Sequence, residues 1–246
     1  MMVYTHTDIG HKRSENQDST GVAVLDDAVF AVVCDGMGGS NAGSEASSRA
    51  VSVITERIQK SYRSDYDDNK IRNLLVAAVK TANAVIYDLA SAVPEWRGMG
   101  TTCVAAIARG DMLHTVNVGD SRMYRCRGGC IRQLSADQSL VQMLYEQGRI
   151  TADEKKTHAQ KNVIFPVLGN ASEEPQPCIT EIIGGVQRGD IIIICSDGLS
   201  DYITQGEFEE ILALPMRLPR RIAKLAEAAI KNGSPDNVSV VGVSMV

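Results

Sequence analysis

A chain of 246 residues, 44% apolar and 22% charged, has the composition of a folded protein with a sizeable core, though length alone does not choose between one large domain and two small ones. Aromatic residues are only 4%, so Val, Ile, Leu and Ala must fill that core. A formal net charge of −5 argues against a nucleic-acid backbone as the main partner, and the longest unbroken apolar run, seven residues over 28–34, is far short of a membrane span.

The first ten residues, MMVYTHTDIG, have neither a basic start nor an apolar stretch, so no signal peptide is expected and a cytoplasmic location follows. Strand-like MVYTHTD comes first, then TGVAVLD and AVFAVVC joined at Asp26-Asp27, a hairpin signal. The second of these is expected to end on Asp35, and four of the next eight residues are glycine, tolerated where the backbone needs unusual dihedrals or close approach. Asn41 is placed as a helix cap, with Ala46, Ala50, Val53, Ile54 and Ile58 following at helical spacing. A second long helix, KIRNLLVAAVKTANAVIYDLASAV, is stopped by Pro94.

Strands resume as TTCVAAIA, MLHTVNV, RMYRCR and CIRQL, separated by RGD and RGG turns and read as an antiparallel meander. CRGGC (Cys126, Cys130) has the outline of a zinc half-site, but it brackets a Gly-Gly turn without a second Cys pair and reads as a hairpin. The six cysteines are expected to be free thiols, with Cys34, Cys103 and Cys195 serving as small hydrophobes. Residues 139–157 look helical and more polar, and 162–177 irregular. Strands return at CITEIIGGV and DIIIIC, two helical stretches follow near 205–214 and 220–231, and NVSVVGVSMV closes as a strand. Runs of strands with paired helices between them predict an α+β fold with antiparallel sheets. No repeat or low-complexity linker divides it, so residues 1–246 read as a single domain.

Five acids stand at the ends of these strands or in turns beside them. AVVCDG at 31–36 is echoed by IIICSDG at 192–198, each an apolar run, a cysteine and then Asp-Gly (Asp35-Gly36, Asp197-Gly198). Asp236 precedes the last strand, Asp18 ends RSENQD, and Asp120 lies in VNVGDSR. If those strand ends share one edge, the carboxylates converge and repel, raising one another's pKa unless cations hold them ionised. Oxygen-only ligation without a His or Cys cluster points to Mg²⁺ or Mn²⁺. A phosphate-binding P-loop is absent, GMGGSN breaks the dinucleotide fingerprint at Asn41, and no nucleophile elbow surrounds Ser196 or Ser200.

In order and approximate spacing, TDIGHKRSENQD, VCDGMGG, GMGTTCVAAI, VNVGDSRMY, CSDGLSD and PDNVSVV resemble the metal-dependent protein phosphatase 2C (PPM) family, most of all its compact bacterial members. The resemblance runs over residues 7–243. It implies an αββα sandwich, two antiparallel β-sheets flanked by pairs of antiparallel helices, with a binuclear metal site at one edge. By the same resemblance Asp35 bridges two Mn²⁺ or Mg²⁺ ions, the Gly36 carbonyl completes one of them, and Asp197 and Asp236 bind the second. Asp18 acts through metal-bound water, Asp120 helps to hold a third, weaker ion, and Arg13 grips the substrate phosphate, a task suited to a guanidinium fork.

The implied activity is hydrolysis of phosphoserine and phosphothreonine in proteins by direct attack of a metal-bridging hydroxide, opposing a bacterial-type Ser/Thr kinase, by a monomer that needs no nucleic acid or membrane. Three alternatives stand beside it: a binding module that has kept the fold without catalysis, an enzyme for a non-protein phosphoester, and a phosphatase dedicated to an anti-sigma antagonist. The chain departs from the family at Met37, where eukaryotic members often carry a histidine, at Gln138, and at Lys161, Phe165, Pro166 and Val167 within HAQKNVIFPVLG. That segment belongs to a flap region expected around 147–170.

Overall fold

The structure, a computed structural model, describes residues 1–39, 41–169, 178–182 and 185–245, the side chains of 178–182 excepted. In chain order its first half comprises β1 (Met2–Asp8), β2 (Asp18–Val24), β3 (Ala28–Met37), α1 (Ala42–Ser61), α2 (Asp68–Ala92), a 3₁₀ turn (Pro94–Trp96), β4 (Gly100–Thr101), β5 (Cys103–Arg109) and β6 (Met112–Val118). The second half comprises β7 (Arg122–Arg127), β8 (Cys130–Gln133), α3 (Leu140–Glu146), α4 (Ala152–Thr157), β9 (Cys178–Ile182), β10 (Ile191–Cys195), α5 (Asp197–Ser200), α6 (Gln205–Ala213), α7 (Leu218–Lys231) and β11 (Val238–Ser244).

Two antiparallel sheets form, one in the order β1-β11-β10-β7-β8 and the other β2-β3-β5-β6-β9, with β4 paired to β3. Alternate side chains of each central strand enter different cores. Val29, Ala31 and Val33 of β3 meet Ile192, Ile194, Val241 and Val243 between the sheets. Phe30, Val32 and Cys34 face α1 and α2, and Ile193, Cys195, Val238 and Val240 face α6 and α7. Burial on both faces is why these strands read as continuous apolar runs. The expected sandwich with helices on both outer faces is therefore what the chain builds.

Among the described residues α2 is the one helix long and apolar enough to cross a membrane by length and composition. Here its stripe of Ile71, Leu75, Val79 and Ile86 is fully buried in the core shared with α1. Each such side chain contributes about 2 kcal/mol by leaving water. Asp67 caps α2 by accepting the Lys70 N–H at 2.8 Å.

Three expectations are corrected. First, β3 does not end on Asp35: it continues to Met37, because Gly36 and Met37 pair with Thr101 and Gly100 of β4. Second, the meander breaks between β6 and β7, which lie in different sheets, and residues 119–121 carry the chain across. Third, Asn41 occupies the cap position of α1 in the left-handed region (φ 61°) without a side-chain cap; Glu15 accepts from its N–H at 3.3 Å and from the Ser44 hydroxyl. Asparagine tolerates that backbone conformation, which is what the turn requires. CRGGC is the expected hairpin between β7 and β8. Cys34, Cys103, Cys126, Cys130 and Cys195 are free thiols. Residues 170–177 of the stretch expected to be irregular, and 183–184 of CITEIIGGV, lie outside the described residues.

Candidate metal centre

Asp18 opens β2 and stands directly opposite Asp35 in the register of β2 with β3. Asp197 follows β10 as the first residue of α5, and Asp236 precedes β11, the neighbour of β10 in the other sheet. Asp120 lies in the crossing between the sheets. One edge of the sandwich thus receives acids from both sheets, and they feel each other: burial, then Asp18, Asp197, Asp120 and Asp236, push the Asp35 carboxyl far above the ordinary range.

The neighbours respond in the same direction. Burial raises Asp18 to about 7, against hydrogen bonds from Ser196 and Ser239 that pull it down. Asp120 is pushed up to about 8 by burial, Asp197 and Asp137, with Arg122 opposing. Asp197 rises to about 6 through burial and the charges of Asp201 and Asp236, with Asp35 and Arg122 opposing. Carboxylates crowded in this way ask for cations.

The backbone around them is closely fitted. Asp35 donates its N–H to Thr102 Oγ1 at 2.9 Å, and its carbonyl accepts from Thr101 Oγ1 and from the Thr102 N–H, both at 2.8 Å. A Cβ on Gly36 would lie 2.0 Å from the Gly43 carbonyl oxygen in the first turn of α1. A Cβ on Gly198 would lie 2.0 Å from the Asn237 carbonyl oxygen. Both glycines after an acid are therefore demanded by backbone packing on a neighbouring element. Ser196 donates to Asp18 Oδ2 at 2.7 Å while accepting the Ser239 N–H at 3.1 Å, so one hydroxyl ties β10, β11 and β2 together. Asn237 is a second tie: its Oδ1 accepts the Gln17 N–H at 2.8 Å, and its Nδ2 donates to the Ile9 and Glu15 carbonyls, both at 2.9 Å.

The donors fit a hard divalent cation. They are all oxygen, and Asp197 Oδ1 is buried with no hydrogen-bond partner in the structure. The cage is not closed, however: among the described residues no three His, Cys, Asp or Glu side chains are drawn around one point. Instead Arg13, whose side chain is half exposed, donates from Nη2 to Asp236 Oδ2 at 2.7 Å. The guanidinium neutralises one acid of the set, and Asp35 and Asp197 add to its field. All the acids singled out in the sequence are brought to this edge, with Arg13 beside them.

Sequence reasoning missed a second tier. Arg122 grips the buried carboxylate of Asp137 with Nε at 2.9 Å and Nη2 at 2.8 Å, and reaches Asp201 with Nη1 at 2.9 Å. Asp201 closes CSDGLSD one helical turn after Asp197, and that position is the signal that could have found it. Beside this tier lies a cavity of about 1080 Å³ bounded by Asp120 and Asp201 on the metal side and by Tyr145, Lys155 and Lys161 on the other.

The family model described as protein phosphatase 2C matches residues 8–231. The serine/threonine protein phosphatase PstP of Mycobacterium tuberculosis is 34% identical over 240 residues, 98% of this chain but only 44% of that protein, so the chain spans less than half of this relative. The solved serine/threonine phosphatase of S. agalactiae superposes with a TM-score of 0.92 at 30% identity, covering 100% of this chain and 99% of that one. The catalytic domain of PstP, solved in complex with two manganese ions, has a TM-score of 0.82 at 32% identity, over 98% of this chain and 96% of that one.

Proposed function

The chain belongs to the protein phosphatase 2C family, and from that premise we propose that it is a metal-dependent serine/threonine protein phosphatase acting on phosphoserine and phosphothreonine. The observation that carries the reading is that Asp18, Asp35, Asp197 and Asp236 come from two sheets to one edge of the sandwich, with Asp18 directly opposite Asp35 and the others close enough to bear on the Asp35 carboxyl. The manganese in the PstP catalytic domain supports the same cofactor here.

Two Mn²⁺ or Mg²⁺ ions in this cluster would supply positive charge to the transferring phosphoryl group and lower the pKa of an attacking water. Asp35 and the Gly36 carbonyl, Asp197 and Asp236 would hold them, with Asp18 acting through water and Asp120 serving a third, weaker site. Arg13 is placed to exchange partners. With Asp236 engaged by a bound cation, the Arg13 guanidinium would be free to clamp the non-bridging phosphate oxygens. Ser196 and Asn237 keep the Asp18 and Asp236 segments in register while this happens.

The remaining assignments belong to the same reading. Residues 1–246 act as one catalytic domain with a flap over 147–170. The chain works as a cytoplasmic monomer on phosphoproteins, among them a cognate Ser/Thr kinase, without nucleic acid or membrane. The test is phosphate release from a phosphothreonine peptide with Mn²⁺ and again after chelation. Turnover that vanishes with the metal is expected; turnover indifferent to chelation overturns the proposal.

A further inference from the structure

The large cavity beside the metal edge is walled on one side by groups that the reaction does not use. Asp137, almost fully buried, accepts from Arg122, from Gln133 Nε2 at 2.9 Å and from Lys155 Nζ at 3.3 Å. Lys155 belongs to α4 and also donates to Gln142. The α4 wall is thereby fastened to the core through Lys155, Asp137 and Arg122, which also reaches Asp201 on the metal side. Arg122 and Lys155 are thus spent on structure.

Two cations on that wall are not. Lys161, half-buried, has no ion pair among the described residues and lines the cavity. Lys156 also lines it, and its ion-pair partner among the described residues, Asp153, is almost fully exposed at 3.3 Å, a pair of little strength in water. Across the cavity Asp201 is engaged by Arg122, and Asp120 belongs to the metal edge. A volume of about 1080 Å³ is at the upper end of what small-molecule sites use, so it has room for a short peptide segment beyond the phosphorylated side chain.

We propose that this cavity is a substrate subsite in which Lys161, with Lys156 at its rim, binds a carboxylate side chain lying within a few residues of the phosphoserine or phosphothreonine. The substrate class is therefore acidic phosphosegments. This rests on the phosphatase reading above, and the experiment separates the two.

Phosphothreonine peptides of one core sequence would carry Glu, Gln or Lys at flanking positions, first on one side of the phosphoresidue and then on the other. Initial rates would be measured with the manganese-loaded chain at low and high salt. Replacing Glu by Gln on the productive side is expected to raise KM about three- to tenfold with little change in kcat, and the preference should shrink at high salt. In Lys161→Gln the Glu-to-Gln ratio should collapse toward one, and in Lys161→Glu it should reverse in favour of Lys. Because the ratio is read within one protein sample, partial loss of folded material cancels.

Equal kcat/KM across the series in the unmodified chain overturns the subsite while leaving the phosphatase reading intact. A ratio that survives Lys161→Gln unchanged overturns the assignment to Lys161. No turnover of any peptide overturns the phosphatase reading, and the subsite falls with it.

Discussion

The two ends of β10 carry the same residue type in opposite circumstances. Asp190, just before the strand, is almost wholly buried, yet its pKa is held below the ordinary value. Burial alone would raise it, but Arg127 grips it with Nε at 2.9 Å and Nη2 at 2.6 Å, and the Gln187 N–H adds a bond at 2.9 Å. Asp197, two residues past the strand, has a buried oxygen without a partner and neighbours of its own sign, and rises to about 6. Burial is common to both, and the partner decides the rest. One carboxylate is satisfied by the protein and contributes stability; the other is held in an unfavourable state that a cation relieves.

The largest effect that would sharpen this contrast is on turnover. Asp197→Asn should lower manganese-dependent phosphopeptide hydrolysis by about 10²–10³-fold. Its metal-free thermal midpoint should hold or rise, because a repelled charge has been removed. A fall in the midpoint to match the fall in rate, read by calorimetry, would erase the distinction between the two ends.

Next comes the packing that seats Asp197. Gly198→Ala drives a Cβ to 2.0 Å from the Asn237 carbonyl oxygen, and Gly36→Ala does the same to that of Gly43. Each should cost about 3 kcal/mol or more in chemical denaturation, since backbone on both sides leaves no room to relax. An inexpensive Gly198→Ala would mean that α5, a single turn, yields where β3 does not.

The smallest effect belongs to the satisfied end. Asp190→Asn should cost about 2 kcal/mol at neutral pH and leave the rate per folded molecule unchanged. Because the folded-state pKa of Asp190 is depressed, its stabilisation is present above the unfolded value of about 4 and is lost as pH falls through the folded one. The gap in stability between the two proteins should therefore narrow below about pH 4. A gap constant with pH would mean that the Arg127 contact contributes through packing, not charge.

What could be read in the sequence divides along the same line. Periodicity placed nearly every strand and helix, because both faces of the central strands are buried and the long helices carry regular apolar stripes. Asp35 and Asp197 could be read because each follows an apolar run, where a charge is conspicuous, and Asp18, Asp120 and Asp236 because they stand beside strands. Their partners could not. Arg127 and Asp190 are 63 residues apart, and Arg13 and Asp236 are 223 apart. The Cys and Asp-Gly pattern marks Asp197, but nothing local shows that Asp190 finds a cation partner and Asp197 does not. The continuation of β3 past Asp35 and the crossing at 119–121 were hidden for the same reason, since pairing with β4 and membership of a sheet are long-range facts.

The placement of β11 has a consequence for the order in which the chain comes to life during translation. This strand, made after every other element described, lies between β1 and β10, and Asn237 at its head ties down the backbone around Ile9, Glu15 and Gln17. The N-terminal segment carrying Arg13 and Asp18 therefore waits, without its supports, until residues 236–244 have left the ribosome. The acid edge is therefore completed only after β11 is made, in an order set by the topology of the sheet.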